Sequence, residues 1–288
     1  MRTPIPVALC LMLACLLTRE AVAQGSKLLL AAKQRYEDSD QGTRIVGGDD
    51  TTYARNPWQV ALVYAEDKDD PARGQFCGGV IIHSRWILTA AHCVDDGTRP
   101  EQVDVISGTR YLRLGFGYRV GVESIDYHPQ YDRVKKNFDI AVLRVKAVLK
   151  GRSIAPASAA ALQDGKKIWV SGWGVTERSD AGSTTLQGVE LDYINTKNCN
   201  GPLSYDGAIT GNMFCAGKGG ADGGGGIDSC QGDSGGPASV GDDANTAKLV
   251  GLVSWGDRCG VQYKYGVYTK VSNFVSWVRE KSNGQVKW

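Results

Sequence analysis

One serine in the sequence lies in surroundings that suit a nucleophile. Ser234 follows Gly232-Asp233 and precedes Gly235-Gly236. Glycines have no Cβ atom, so a tight turn at this point would expose the hydroxyl and let a carbonyl group approach backbone N–H groups. A glycine-rich turn alone is more often structural than catalytic, so the chemistry requires partners elsewhere in the chain.

The first partner needed is a base, because a serine hydroxyl is a weak nucleophile. Among the three histidines, His83 lies in a polar turn and His128 precedes a proline, so both are interpreted as surface residues. His92 follows the apolar run Leu88–Ala91 and stands beside Cys93. An imidazole in that position is either a fixed base or a packed core residue.

The second partner is a carboxylate that could orient the base. Asp139 directly precedes the apolar run Ile140–Leu143. Burying a carboxylate is unfavourable unless it is paired. Taken alone, Asp139 is either such a paired group or an ordinary turn residue before a strand.

Taken together, these segments resemble the trypsin/chymotrypsin family of serine endopeptidases over essentially all of residues 45–288. The His, Asp and Ser motifs occur in the order that the family has. The matching motifs are Ile45-Val46-Gly47-Gly48, Thr89-Ala90-Ala91-His92-Cys93, Asp139-Ile140-Ala141-Val142-Leu143, Gly232-Asp233-Ser234-Gly235-Gly236-Pro237 and Ser254-Trp255-Gly256.

The resemblance implies a role for each catalytic candidate. Ser234 would attack the scissile carbonyl, His92 would accept its proton and pass it to the leaving amine, and Asp139 would hold the imidazole. The N–H groups of Gly232 and Ser234 would form the oxyanion hole, and an acyl-enzyme intermediate is implied. The rival interpretation is a non-catalytic homologue that uses the same scaffold as a binding module.

The resemblance also implies a primary specificity pocket. Asp228 would form its floor, where a desolvated carboxylate prefers a cation that completes it. The neighbouring hydroxyl of Ser229 would help to accept Lys, so cleavage after Arg and Lys is expected. The other pocket residues are expected to be Ser254, Trp255, Gly256 and Gly266.

Activation by proteolysis follows from the same resemblance. Cleavage after Arg44 would create a new amine on Ile45, which would insert and pair with Asp233. That pairing would order the oxyanion hole and the pocket, so the precursor is expected to be a zymogen. Residues 24–44 are the expected activation propeptide.

The first 23 residues are predicted to be a secretory signal peptide. The apolar run Ile5–Leu17 is shorter than the roughly 20 residues of a membrane-spanning helix, and Ala21-Val22-Ala23 offers small residues for cleavage. A secreted, extracellular protein is expected. The minor alternative is a periplasmic protein, or one tethered by lipid at Cys15.

Six cysteines remain once the signal peptide is removed, and an even number in an exported chain implies disulfides. Composition alone leaves roughly 15 pairings open. The resemblance implies the pairs Cys77–Cys93, Cys199–Cys215 and Cys230–Cys259.

Short apolar or alternating runs separated by turn residues predict strands and an all-β fold. These runs are Trp58–Ala65, Gly79–Ile82, Trp86–Ala91, Val103–Ile106, Ile140–Val145, Ile168–Ser171, Leu249–Trp255 and Gly266–Lys270. The resemblance implies two antiparallel six-stranded β-barrels. Residues 45–155 would form the first barrel and 156–288 the second. Val271, Phe274, Val275 and Val278 have helical spacing and predict a C-terminal helix.

The formal net charge of +2 argues against nucleic acid as a partner and gives no reason to expect membrane insertion. The expected partners are protein or peptide substrates and protein inhibitors, and a monomer is expected. No cofactor is expected to be required. Val105–Val122 contains no acidic residue, so no calcium loop is expected there, whereas Tyr265 leaves a sodium site open.

Overall fold

The computed structural model describes residues 49–95, 97–174, 182–218, 232–257 and 263–288. The expected signal peptide and propeptide lie outside these residues. So do Arg44, Ile45, the segment Asp228–Cys230 and Cys259. In the described part of the chain no helix is long and apolar enough to cross a bilayer.

Six antiparallel strands close into a first barrel in the order β2-β3-β4-β7-β6-β5. These strands are β2 (Gln59–Tyr64), β3 (Gln75–His83), β4 (Trp86–Thr89), β5 (Val103–Ser107), β6 (Tyr118–Tyr127) and β7 (Ala141–Val145). Strands β2 and β4 are buried along their whole length. Both are built almost entirely from apolar side chains, which suits strands that have protein on both faces.

A second barrel is formed by β8 (Lys167–Gly172), β9 (Gln187–Ile194), β10 (Met213–Gly217), β11 (Pro237–Val240), β12 (Lys248–Trp255) and β13 (Gly266–Lys270). The strand order is β9-β10-β13-β12-β11-β8, and pairing of β9 with β8 closes the ring. The short strand β1 (Asp49–Asp50) comes before the first barrel in the chain but pairs with β9 of the second.

Among the described residues, helices are few and short. They are α1 (Pro71–Gly74), α2 (Thr196–Cys199) and α3 (Val275–Lys281), with 3-10 turns at Ala91–Cys93, Pro100–Gln102, Ala159–Ala161 and Val271–Phe274. Helix α1 begins at a proline, and its N-cap Asp70 accepts a hydrogen bond from the Arg73 amide. Helix α2 is capped in the same way by Asn195. These side chains satisfy N–H groups that the first turn of a helix leaves unpaired.

The predicted fold class is therefore confirmed, with two closed six-stranded barrels and a C-terminal helix. The α-helix begins at Val275, and the first turn of the predicted pattern, Val271–Phe274, is a 3-10 helix. Strands β6, β9, β10 and β11 were not distinguished by the sequence pattern. Glycine, charge or short length interrupts their apolar alternation.

Buried polar contacts join the two barrels. The Ser171 hydroxyl of β8 donates to Oε1 of Gln59 in β2 at 2.8 Å. Trp169 Nε1, also in β8, donates to Oδ1 of Asn56 at 2.7 Å. These contacts help to fix the position of one barrel relative to the other. That position matters because the candidate site takes residues from both barrels.

Candidate active site

His92 is placed by the end of strand β4 and a disulfide. It occupies the 3-10 turn Ala91–Cys93, and the next residue, Cys93, is bonded to Cys77 in β3. Its side chain is 9% exposed, so the imidazole is largely held by protein while one edge reaches solvent. The predicted pairs Cys77–Cys93 and Cys199–Cys215 are both present, and Cys230–Cys259 lies outside the described residues.

Asp139 lies just before β7 and is fully buried. The preceding residue, Phe138, has a φ of +57°, a left-handed conformation that side-chain-bearing residues rarely adopt. Thr269 in β13 donates its hydroxyl to the Asp139 carbonyl at 2.7 Å. Tertiary contacts thus determine the turn that points this carboxylate inward.

Three hydrogen bonds satisfy the Asp139 carboxylate. The backbone N–H of His92 donates to Oδ1 at 2.9 Å, and Nδ1 of His92 lies 2.8 Å from Oδ2. The Ser254 hydroxyl, from β12 of the second barrel, donates to Oδ2 at 2.5 Å. Burial opposes ionisation, but the His92 charge and these hydrogen bonds outweigh it, so the pKa of Asp139 is lowered below its usual value.

An ionised Asp139 determines the proton arrangement on the imidazole. A carboxylate can only accept, so the close contact with Oδ2 requires Nδ1 of His92 to carry the proton. When the imidazole is neutral, its other nitrogen, Nε2, has a lone pair and can accept a proton. The arrangement can therefore perform general base chemistry at Nε2.

Ser234 is brought to the same region by contacts of the first barrel. The Gly78 amide of β3 donates to the Ser234 carbonyl at 2.8 Å. Cys93 directly follows His92 in the sequence, and its sulfur lies 3.7 Å from the Ser234 carbonyl oxygen. Ser234 is partly exposed, and Gly235 has a φ of +76° that its lack of a side chain permits. The backbone of the glycine-flanked serine thus lies beside the His92 turn.

Asp233, the residue expected to receive the new amine, is fully buried. Its Oδ1 accepts a hydrogen bond from the Gly174 amide at 2.9 Å. A Cβ on Gly172 would overlap the same carboxylate oxygen, so the glycine provides the space that the oxygen fills. The Gly174 amide and the space left by Gly172 therefore accommodate this carboxylate oxygen, while Ile45 lies outside the described residues.

The predicted pocket residues are described only in part. Ser254 and Trp255 end strand β12, Gly256 follows them, and Gly266 begins β13. The register places Gly266 opposite Ala216 of β10, so small residues face each other there. Asp228 and Ser229 lie outside the described residues.

Two features were missed by sequence reasoning. Ser254 was predicted to be a pocket residue, and its hydrogen bond to Asp139 was not foreseen. Gln75 was not singled out, yet Nε2 of its side chain donates to the Gly232 carbonyl at 2.6 Å. No local pattern marks that contact, because it joins residues 157 positions apart.

The interpretation of His128 as a surface residue was wrong. It is 9% exposed and stacks on Phe138 with ring centroids 4.8 Å apart. Phe274 and Trp277 complete an aromatic cluster around it. The proline that follows His128 indicated a turn, and turns usually lie at the surface. The sequence pattern did not show that Phe274 and Trp277, near the C-terminus, pack over this turn and bury the imidazole.

Within the described ranges, the only cluster of three potential metal ligands joins Cys77, His92 and Cys93, whose ligand atoms lie within 4.8 Å of one another. The two sulfurs are bonded to each other and are not thiolates, so this cluster lacks the donors that a metal site needs. Its significance is that the disulfide packs against the imidazole.

Two antiparallel six-stranded barrels with a buried Asp–His pair between them and a glycine-flanked serine beside it define a serine hydrolase of the trypsin/chymotrypsin class. The comparisons agree. The Trypsin family model matches residues 45–278. Trypsin Tyr p 3.0101 of Tyrophagus putrescentiae is 38% identical over 277 residues, covering 93% of this chain and 89% of the relative. The chain belongs to the trypsin family and is a serine protease.

Proposed function

We propose that this protease is a secreted zymogen whose mature form hydrolyses peptide bonds after Arg or Lys through an acyl-enzyme intermediate. The observation that carries the proposal is the buried Asp139 carboxylate bound to Nδ1 of His92. It leaves Nε2 as an acceptor at the turn that Ser234 adjoins. The membership of the chain in the trypsin family supports protein and peptide substrates.

The reaction runs in two halves. The Ser234 oxygen bonds to the scissile carbonyl carbon while Nε2 of His92 takes the hydroxyl proton. The C–N bond then breaks, and the same proton goes to the leaving amine. Water repeats the sequence, with His92 as base again, and releases the carboxylic acid product. Asp139 keeps the imidazole oriented and stabilises the cation that forms.

Negative charge on the carbonyl oxygen develops in each half. The N–H groups of Gly232 and Ser234 are the proposed donors to it. Fixed donors in a site from which water is excluded stabilise such charge strongly. The carbonyls of this loop are tied to β3, which supports a preorganised arrangement.

Cleavage after Arg or Lys rests on Asp228 at the proposed pocket floor. Gly256 and Gly266, at the ends of β12 and β13, lack side chains and would leave room for a long basic side chain. Ser229 would supply a hydroxyl for Lys. Asp228→Asn should therefore lower kcat/KM for Arg and Lys substrates much more than for an uncharged one, whereas substitution of the exposed Asp257 by Asn should not.

Cleavage between Arg44 and Ile45 is the proposed activation step. The buried backbone site around Asp233 suits a carboxylate that must hold an opposite charge in a dry environment. Because Arg44 fits the proposed pocket, the enzyme could activate itself. Ser234→Ala precursor incubated alone should remain uncut, and addition of active enzyme should then cut it after Arg44.

The remaining properties are proposals of the same kind. Export through a signal peptide, a monomeric state and inhibition by proteins that occupy the site fit a secreted digestive or processing protease. The Tyr265 carbonyl accepts the Tyr205 hydroxyl at 2.6 Å. Sodium activation near Tyr265 would make rates differ between sodium and choline chloride.

The alternative is a non-catalytic homologue that binds partners on the same scaffold. Treatment of the activated protein with a phosphonofluoridate decides between the two. A catalytic protein is expected to incorporate one label per chain at Ser234 and to lose peptide hydrolysis in parallel. The Ser234→Ala protein is the control. Absence of both labelling and hydrolysis after verified cleavage at Arg44 would favour the binding module.

A further inference from the structure

The side chain of Gln75 links the start of strand β3 to the loop that carries the nucleophile. Its Nε2 donates to the carbonyl oxygen of Gly232 at 2.6 Å, and Gln75 is only partly exposed. The oxygen Oε1 of the same amide lies 3.1 Å from the position that a Cβ on Gly232 would occupy. The amide therefore packs directly on the glycine as well as bonding to it.

Gly232 needs such a contact because a glycine can adopt many backbone conformations and does not fix its own. Its φ is +87°, a region open to glycine and strained for other residues. A Cβ there would also crowd the Gly174 Cα at 3.0 Å, so a stiffer residue does not fit. The peptide that joins Gly232 to Asp233 must be held by something other than local sterics.

The neighbouring carbonyls are held by the main chain. The Asp233 carbonyl accepts from the Gly236 amide at 2.7 Å, and the Ser234 carbonyl accepts from the Gly78 amide at 2.8 Å. Within the described residues, the Gly232 carbonyl is held by the Gln75 side chain. The Gly232 carbonyl thus has a side-chain donor, whereas backbone amides donate to the two carbonyls that follow it.

We propose that Gln75 is a positioning residue that fixes the Gly232 peptide so that the loop presents its N–H donors to the oxyanion of the transition state. This inference rests on the proposed function, in which Gly232 and Ser234 supply those donors. The carbonyl that Gln75 holds belongs to the Gly232–Asp233 peptide, which lies between the two donors along the chain. A loss of the Gln75 contact lets this peptide rotate, and the rotation changes the direction of the Gly232 and Ser234 N–H groups on either side of it. The change weakens stabilisation of the developing charge and leaves the substrate side-chain pocket in place.

Gln75→Ala removes the amide, and Gln75→Glu keeps its shape while replacing the donating NH2 by an ionised oxygen that cannot donate. Both should lower kcat by about tenfold, the effect of one hydrogen bond. This is less than the 10²–10³-fold loss typical when an oxyanion donor itself is removed. KM should change little. The matched control is Gln187→Ala, since Gln187 also begins a strand and its Nε2 donates to the Thr185 carbonyl at 3.0 Å.

Inhibitor binding separates positioning from a general structural role. A peptide aldehyde forms a tetrahedral adduct with Ser234 that carries the oxyanion, so its affinity should fall by the same factor as kcat. Binding of a substrate-like peptide to each variant in a Ser234→Ala background should stay unchanged. Gln187→Ala should alter neither affinity, even if it lowers the melting temperature.

A pH series tests the donor requirement itself. The carboxyl group that Gln75→Glu introduces can donate an O–H once it is protonated, and glutamate ordinarily titrates at about 4.3. The ratio of the kcat of Gln75→Glu to that of the parent should rise as the pH is lowered from about 8 toward that value. Gln75→Ala, which never regains a donor, should keep a flat ratio.

An active parent with Gln75 variants that retain kcat and aldehyde affinity would overturn the inference while leaving the proposed function intact. Equal losses of aldehyde and peptide binding would show a structural role and overturn it as well. A parent that neither hydrolyses peptides nor reacts at Ser234 after cleavage at Arg44 would overturn both.

Discussion

Three donors converge on the carboxylate of Asp139, two from His92 and one from Ser254. Each donor restricts a different freedom. The His92 amide fixes the turn, Nδ1 fixes the ring, and the Ser254 hydroxyl comes from the other barrel. At the scale of single residues, three hydrogen bonds therefore hold the Asp139 carboxylate in one position, and the carboxylate in turn orients the His92 imidazole.

Replacing Ser254 by Ala tests one of these bonds. A hydrogen bond to a charged group is worth roughly 1.5–3 kcal/mol, so loss of the 2.5 Å contact should lower kcat by about 10- to 100-fold. Steady-state kinetics on an amide substrate measure the effect. Ser239→Ala is the control, because that buried hydroxyl donates instead to the Trp169 carbonyl. Equal effects of the two substitutions would contradict the role assigned to Ser254.

The lowered pKa of Asp139 predicts a pH dependence of stability. A carboxyl whose folded pKa lies below its usual value of 3.8 stabilises the fold above that pH, and the contribution is lost as pH falls through the folded pKa. In a Ser234→Ala background, Asp139→Asn should lower the free energy of unfolding at neutral pH. The gap to the parent should narrow below about pH 4. Urea titrations that show a constant gap down to about pH 2.5 would exclude this linkage.

How far sequence reasoning reached differs between these residues. His92, Asp139 and Ser234 could be selected as candidates from the sequence because each lies in a short motif of consecutive residues. The contacts of Ser254 and Gln75 were not predicted because each residue bonds to a partner that is distant in sequence. Only the folded barrels bring the partners together. A pattern read along the chain cannot register such a contact.

At the scale of secondary-structure elements, the described residues contain two disulfides of equal sequence separation. Cys77–Cys93 joins β3 to the His92 turn, and Cys199–Cys215 joins α2 to β10, each spanning 16 positions. Loops of this length contribute comparable stabilisation to the folded chain, about 3 kcal/mol each. Only the first disulfide touches an element that carries a proposed catalytic residue.

Removing the two disulfides in separate Cys→Ala double variants should separate stability from catalysis. Both variants should have similarly lowered melting temperatures. Loss of Cys77 and Cys93 should also reduce the rate of acylation, because the His92 turn loses its link to β3. Loss of Cys199 and Cys215 should leave that rate near the parent value. Burst kinetics with an ester substrate measure acylation, and equal rates for both variants would refute the distinction.

The aromatic cluster around His128 connects the C-terminal helix to the turn that holds Asp139. Burial lowers the pKa of His128, and the nearby charge of Lys281 acts in the same direction. Asp126 pairs with Lys281 at 3.9 Å, and the Gln130 amide donates to Nδ1 of His128 at 3.2 Å. The folded state therefore holds the imidazole neutral.

Protonation of the unfolded chain should then weaken the fold in mild acid. A histidine with a folded pKa below 6.5 binds more protons when unfolded, so its contribution to stability is complete above 6.5 and declines as pH drops below it. Melting temperatures of the Ser234→Ala protein should fall between about pH 7 and 5, and His128→Phe should reduce that slope. His83→Gln, at the partly exposed end of β3, should keep it. An unchanged slope in His128→Phe would contradict neutral burial.

Element boundaries show why the fold was only partly readable from the chain. Runs with continuous apolar character, such as β2 and β12, were found within a residue or two. Strand β6 escaped because a glycine, a glutamate and an aspartate interrupt it, and β11 because it has only four residues after two glycines. Pairing across the barrel, not local alternation, stabilises those strands.

On the scale of the whole molecule, the active site depends on the position of the two barrels relative to each other. His92 and Asp139 come from the first barrel, and Ser234 and Ser254 from the second. Segments outside the two barrels add further contacts. Strand β1 pairs with β9, and Gln285 beyond α3 accepts the Trp86 Nε1 hydrogen of β4 at 3.0 Å.

The buried bond between Gln59 and Ser171 is the sharpest test of the contact between the barrels. Ser171→Ala would leave the Gln59 amide oxygen buried without its donor, which costs about 1–3 kcal/mol, whereas replacing both partners by apolar groups can be nearly neutral. Ser171→Ala should therefore destabilise the Ser234→Ala protein more than the Gln59→Leu/Ser171→Ala pair does. Urea unfolding of the double-mutant cycle measures the coupling, and strictly additive losses would mean that this contact does not join the barrels energetically. In the active enzyme, the single variant should also lose kcat, because the same interface sets the position of Ser254 against Asp139.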